Sequence, residues 1–365
     1  MSRLQQILAW LSGLLCAVSL GMALAAGDAP ALLLLFLTIG TFSLLRFRRP
    51  FPYWFDGVML LLGAIGLLLT LPVYAVEPPF FWLSLLATWS FAWLFVERLS
   101  QAIRQGRLSE KLFGLVIPVV FGLVLLFVWE AVTRGANVPQ VLLPAPSQIW
   151  ERLLNSIPTL VADFQQTFLK AVLAGYAMGC IAGFAVAVLV DRSPFLERGL
   201  LPIGNFVSAL PIIGIAPIMV MWFGFDWQSK AAVVVAMTFF PMLVNTVAGL
   251  KAASVMERDL MRTYAAGYWQ TLWKLRLPAA APFIFNALKI NSTLALIGAI
   301  VAEFFGTPIV GMGFRISTEV GRLNIDLVWA EIAVAAVAGS AFYGVIALIE
   351  RAITFWHPSV RGGRT

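Results

Sequence analysis

Residues 255–278 read VMERDLMRTYAAGYWQTLWKLRLP and stand between two apolar runs, 231–250 and 280–302, each of membrane-crossing length. A polar segment of this size is too long for a simple turn between spans. Its first half is helix-compatible, Ala265-Ala266-Gly267 offers a break, and Trp269, Leu272 and Trp273 recur at i, i+3 and i+4. The spacing predicts a helix-turn-helix lying at the membrane surface. Two roles fit it: an amphipathic loop anchored by its aromatic residues, or a docking element for a cytoplasmic partner.

Composition extends this reading to the whole chain. Of 365 residues, 61% are hydrophobic and 12% charged, more apolar surface than a soluble core could hide, so lipid is the expected solvent. About 20 apolar residues cross the hydrocarbon as a helix. Spans are predicted near 7–26, 30–46, 57–76, 80–97, 112–133, 167–190, 200–222, 231–250, 280–302 and 330–352. The fold expected is all-α and polytopic. The first run, Ile7 to Ala26, exceeds the core of a secretory signal and is read as a retained span.

Charge sorts the loops. With the amino terminus inside, 18 of the 25 basic residues fall on the cytoplasmic side, including Arg46, Arg48, Arg49, the 251–276 segment and the carboxy-terminal tail. Both termini are therefore expected in the cytoplasm. The net charge of +7 reflects topology and contact with anionic lipid, with no reason to invoke nucleic acid. Cys16 and Cys180 lie far apart in apolar runs and are read as packing thiols. The one histidine, His357, sits in the tail, so no histidine metal site is expected.

Ionisable residues in mid-membrane usually mark function. The carboxylates nearest to spans, Asp56, Glu130, Glu303, Glu331 and Glu350, all fall at predicted span ends, where water or headgroups would solvate them. That weighs against a proton-coupled carrier. An external energy source fits better, yet none of the six lysines is followed by Ser or Thr as a phosphate-cradling loop requires. Any ATP would be bound by a separate subunit.

Residues 255–278 resemble the EAA loop of binding-protein-dependent ABC importer permeases, which closes on a Leu-Pro pair. SALPIIGIAPIMVMWFG (208–224), SKAAVVVAMTFFPMLVNTVAGL (229–250), LRLPAAAPFIFNALK (275–289) and Ala302-Glu303-Phe304 are similar to the sulfonate, taurine and nitrate branch, as is VLLPAPSQIW (141–150). The similarity runs from about 112 to 357. It implies a six-span type I importer core at 112–357, preceded by a four-span extension at 1–97 and a basic linker at 98–111, and followed by a tail at 358–365. Members of the branch commonly consist of the core alone. The extension is expected to pack on the core or on another membrane protein.

Carried over residue by residue, Leu277 and Pro278 match the closing pair and Asp259 stands where the motif has its Glu. The motif's glycine falls on Ala265, with Gly267 two positions later, so the turn is expected to shift towards Gly267 or to adopt a non-glycine geometry. The resemblance implies an ATPase-coupling helix carrying Arg258, Asp259, Arg262, Tyr264, Ala265, Ala266, Gly267 and Trp269. It also implies a homodimeric permease, a periplasmic binding protein, and ATP and Mg used only by the partner ATPase. Pathway candidates are Ser208, Pro211, Pro217, Thr238, Asn245, Asn291, Ser292 and Glu303. For the polar ones a plain helix-helix hydrogen bond is the competing role, and the two prolines are expected to shape their helix. Gly175, Gly179 and Gly183 would allow close helix approach. The expected function is passage of a small solute such as a sulfonate, taurine, nitrate or a vitamin precursor. The alternative is a channel or secondary carrier not powered by ATP.

Overall fold

The computed structural model describes residues 3–26, 53–71, 78–109, 113–208, 211–306 and 309–356. The span expected at 30–46, residues 110–112 of the linker and core, and the tail from His357 lie outside the described residues. Among those described, all regular structure is helical. The helices are α1 (Arg3–Ala26), α2 (Tyr53–Thr70), α3 (Pro79–Arg104), α4 (Val116–Gly135) and α5 (Pro146–Asn155). Next come α6 (Ile157–Arg192), α7 (Pro194–Ser208), α8 (Ile212–Phe223) and α9 (Trp227–Leu250). The last four are α10 (Val255–Thr263), α11 (Tyr268–Glu303), α12 (Met312–Gly321) and α13 (Ile325–Ile353). Seven of them, α1, α3, α4, α6, α9, α11 and α13, are long and apolar enough to cross a bilayer. The protein is an all-α, multi-pass membrane protein.

Packing divides the chain into two units, Met1–Trp150 and Glu151–Thr365. The helix expected to open the core, near 112–133, is α4, and it packs with the first unit. Its Val124 meets Leu60 and Ala92, and its Ala131 joins Phe80, Phe81 and Leu85. In the first unit α3 is central, with α1 and α2 against it. Small hydroxyls let these helices approach: Ser19 donates to the Phe80 carbonyl at 2.7 Å, and a Cβ on Gly63 would stand 2.7 Å from the Thr88 hydroxyl. Asp56 is fully buried and takes a hydrogen bond from Arg98, itself buried, at 2.5 Å.

In the second unit α9 is central, packed between α6 and α11. Gly175, Gly179 and Gly183 all face α9: added Cβ atoms would lie 2.6 Å from Val234, 2.0 Å from Thr238 and 2.5 Å from the Phe239 carbonyl oxygen. The small-residue stripe is therefore used within the chain. A buried layer of Phe168, Val172, Val234, Ala295, Leu296, Ala299 and Met312 fills the unit.

Two expected elements change form. The run at 200–222, uniform in hydropathy, is two helices, because Pro211 holds an extended backbone (φ −68°, ψ 121°) as the N-cap of α8. The second half of 255–278 is no separate surface helix; it runs on as the first turns of α11. There a π-helical turn, Leu272–Arg276, precedes Leu277 and Pro278. Pro278 has no N–H for the carbonyl four residues back, and the widened turn accommodates that loss without ending the helix.

Candidate functional site

The helix α10 starts on a full capping box. Ser254 Oγ accepts the Glu257 N–H at 3.2 Å, and Glu257 Oε2 accepts the Ser254 N–H at 2.8 Å. The Ser254 N–H, and after it the Ser254 hydroxyl, hold the Glu257 carboxyl below its usual range. Once capped, α10 buries no residue. Met256, Leu260 and Tyr264 are exposed on it, Met256 by 82% and Tyr264 by 77%. Among the described residues Arg262 pairs with Asp259 on its own helix, at 3.2 Å, and both are exposed.

The turn after α10 takes the non-glycine geometry. Ala265 itself adopts the left-handed conformation (φ 51°), donating to the Arg262 carbonyl at 2.9 Å, while Ala266 donates to Met261 at 3.0 Å. Gly267 has an ordinary φ of −68° and serves as N-cap of α11, its N–H bonded to the Gln270 side chain at 3.2 Å. The position that corresponds to the motif's glycine thus keeps the glycine backbone while carrying a methyl group. Trp269, Leu272 and Trp273 do not share one environment: Leu272 is buried with Leu250 and Ala280, while Trp269 and Trp273 are exposed.

Behind this turn, Arg276 grips Asp191 at the end of α6 with two bonds, 2.7 and 2.5 Å, and donates its Nε to the Leu250 carbonyl at 2.9 Å. Tyr268 adds its hydroxyl to Asp191 at 3.0 Å.

At the opposite end of the unit lies a buried polar cluster. Glu303, 2% exposed, accepts from Thr167 Oγ1 at 2.8 Å and from the Gly313 N–H at 2.7 Å. Asp163, fully buried, accepts the Gly311 N–H at 2.7 Å and Arg315 Nε at 2.8 Å, and Thr167 accepts the Met312 N–H at 2.8 Å. Three side chains of α6 and α11 thereby satisfy the first amides of α12, where a carboxylate also meets the positive end of the helix dipole. Hydrogen bonding to Asp163 holds the Arg315 guanidinium above its already high range. Lys230 is buried too, and its ammonium donates to the Gly306 carbonyl, to Phe225 O at 2.5 Å and to Ser229 Oγ at 3.2 Å.

This cluster corrects the expectation that span-end carboxylates are solvated. Asp56, Glu130, Glu303 and Glu331 are buried, Glu130 bound by the Ser147 N–H at 2.9 Å and hydroxyl at 2.6 Å, while Glu350 is partly buried and pairs with Lys289 at 2.7 Å. Among the described residues no donor group reaches either oxygen of Glu331; Asp163, Arg315 and Glu303 are its charged neighbours. Asp163, Thr167, Lys230 and Arg315 come from segments up to 152 residues apart, so no local pattern could have assembled them. Their one legible signal is a charge beside a run of apolar residues.

The pathway candidates separate. Thr238, Asn291 and Ser292 are fully buried inside the chain and do not line an open surface. Asn291 donates to the Thr238 carbonyl at 2.8 Å across α9 and α11, a helix-helix bond, whereas Ser292 bonds back to Lys289 O of its own helix at 2.7 Å. Asn245 is half-buried and bonds back to Pro241 at 2.8 Å. Ser208 ends α7, Pro211 is the N-cap of α8, and Pro217 lies inside that helix. Of the exposed apolar side chains of α8, Met221 and Trp222 are the most open.

A bundle of membrane-length helices with a capped, exposed helix between two of them defines a multi-pass membrane protein. Residues 148–355 match the family of binding-protein-dependent transport system inner membrane components. The chain belongs to that family and is a transport permease subunit. It is 31% identical to a formylaminopyrimidine transport permease protein of Halalkalibacterium halodurans, over 66% of this chain and 95% of that protein. It is 28% identical to the riboflavin transport system permease protein of Chloroflexus aurantiacus, over 72% and 98%. Its identity to the taurine transport system permease protein of Escherichia coli is also 28%, over 65% and 88%.

Proposed function

We propose that this chain forms, as a homodimer in a bacterial inner membrane, the pathway through which a small organic or anionic solute enters the cell. A periplasmic binding protein delivers the solute, and a separate ATPase subunit, using ATP and Mg, drives the cycle. The observation that carries the reading is α10: a capped helix with no buried residue, presenting Met256, Leu260, Tyr264 and Arg262 to the side that the loop charges make cytoplasmic. A helix so exposed is stabilised by what docks on it. The substrate class rests on the names of the similar permeases, which transport a formylaminopyrimidine, riboflavin and taurine.

The test is ATP hydrolysis in proteoliposomes after co-expression with the ATPase subunit of the same organism's importer, with and without binding protein and each of those solutes. Stimulation by loaded binding protein supports the importer. A chain that never co-purifies with an ATPase overturns it and brings forward the channel or secondary carrier.

A further inference from the structure

Because α10 buries no residue, force applied to it reaches the spans only through its two ends. One end joins the close of α9 at Leu250, and the other joins the start of α11 at Tyr268. Both meet at Asp191 and Arg276. The Arg276 fork holds both oxygens of Asp191, its Nε holds the Leu250 carbonyl, and Tyr268 bonds the same carboxylate. Asp191 is 3% exposed and Arg276 14%, so water competes little for these bonds. Arg192 then lies 5.5 Å from the Tyr268 ring centre and 5.9 Å from that of Trp269. The last residues of α6, the last of α9 and the first of α11 thus share one charged joint beside the docking turn.

We propose that Asp191, Arg276 and Tyr268 are positioning residues that make α6, α9 and α11 follow α10 as one body when the ATPase closes. This rests on the reading that α10 meets an ATPase. A fork on a carboxylate resists both translation and rotation, which a single contact does not. Without it, α10 could be displaced while one span stays behind.

The experiment places nitroxides at Leu189 on α6 and Trp273 on α11, both exposed, in the full chain assembled with its ATPase, and measures their separation by double electron-electron resonance. Spectra are compared without nucleotide and after trapping with ATP and vanadate. The unmodified joint should give one narrow distance in both states. Arg276→Lys, which keeps the charge and loses the fork, should keep the narrow distance without nucleotide and lose it on trapping. Tyr268→Phe, which removes one hydroxyl and leaves the fork, should show a smaller loss in the trapped state, and it decides the matter if the lysine variant does not assemble. A distance unchanged in both states for the variants overturns the proposal. So does equal broadening with and without nucleotide, the mark of a merely structural bond. An unmodified chain that binds no ATPase overturns the functional reading instead, and the joint falls with it.

Discussion

A Cβ placed on Gly179 would stand 2.0 Å from the hydroxyl of Thr238 and 3.1 Å from the Val235 backbone. The approach of α6 to α9 therefore depends on the absence of one methyl group. Gly179→Val should widen that contact and disturb Asn291, whose side chain bonds the Thr238 carbonyl. Overpacking of this kind costs about 1–3 kcal/mol. Thermal unfolding of the detergent-purified protein measures it. Gly344→Ala is the comparison, since nothing lies within 4 Å of its added Cβ and removing a mid-helix glycine gains about 0.5–1 kcal/mol. Equal midpoints for the two variants would refute the close contact.

Ala265 makes the second prediction. An L-residue in the left-handed region is disfavoured by roughly 1–2 kcal/mol, and glycine removes that cost. Ala265→Gly should raise the resistance of the 263–267 turn to proteolysis, with no effect on the fold elsewhere. Gly267→Ala should be tolerated, since φ there is −68° and no atom lies within 4 Å. If the alanine at 267 were the harmful change, the turn would be misassigned.

How much of this was legible in the sequence depends on range. The long spans announce themselves by apolar length, and Ser254 with Glu257 spaces a capping box before the polar helix. The turn was legible as a break at 265–267, but not which residue would carry the positive φ, because Ala and Gly both fit the local pattern and only the closure between α10 and α11 selects. Pro211 was legible as a residue that bends a span but not as one that ends it, since lipid-embedded helices tolerate proline. Glu303 reads as a span-end acid, and Asp163 falls outside the predicted spans. They are buried because the amides of α12, brought in by the fold, supply the bonds that water would otherwise give.

The capping box has a pH dependence with a definite sign. Glu257 is held below its ordinary range by the Ser254 N–H, so its ionised form favours the folded helix end. That contribution is present above the unfolded carboxyl value, about 4.3, and is lost as pH falls through the depressed folded value. A nitroxide on α10 should therefore gain mobility only below about pH 4, and Glu257→Gln should abolish the transition. A mobility change centred near neutral pH would show that another group controls the helix.

The clamp on α12 gives the last prediction. Asp163 neutralises Arg315 and caps Gly311 with one carboxylate that is fully buried, and Arg315 is mostly so. Asp163→Ala leaves the guanidinium without its partner and the Gly311 N–H without an acceptor. Breaking such a pair from one side costs about 3–5 kcal/mol, whereas removing both partners costs less than the sum. The double variant Asp163→Asn with Arg315→Gln should recover much of the stability lost by the single alanine change, because the amides can hydrogen-bond without net charge. Because the Asp163 hydrogen bond holds Arg315 above its usual range, the pair's contribution is present below the guanidinium's unfolded value, so it should not vary across neutral pH. The double-mutant cycle, completed by Asp163→Asn and Arg315→Gln each alone, is read from unfolding midpoints in detergent. Strict additivity would mean that Asp163 serves the Gly311 amide alone, and that the charge of Arg315 is satisfied elsewhere.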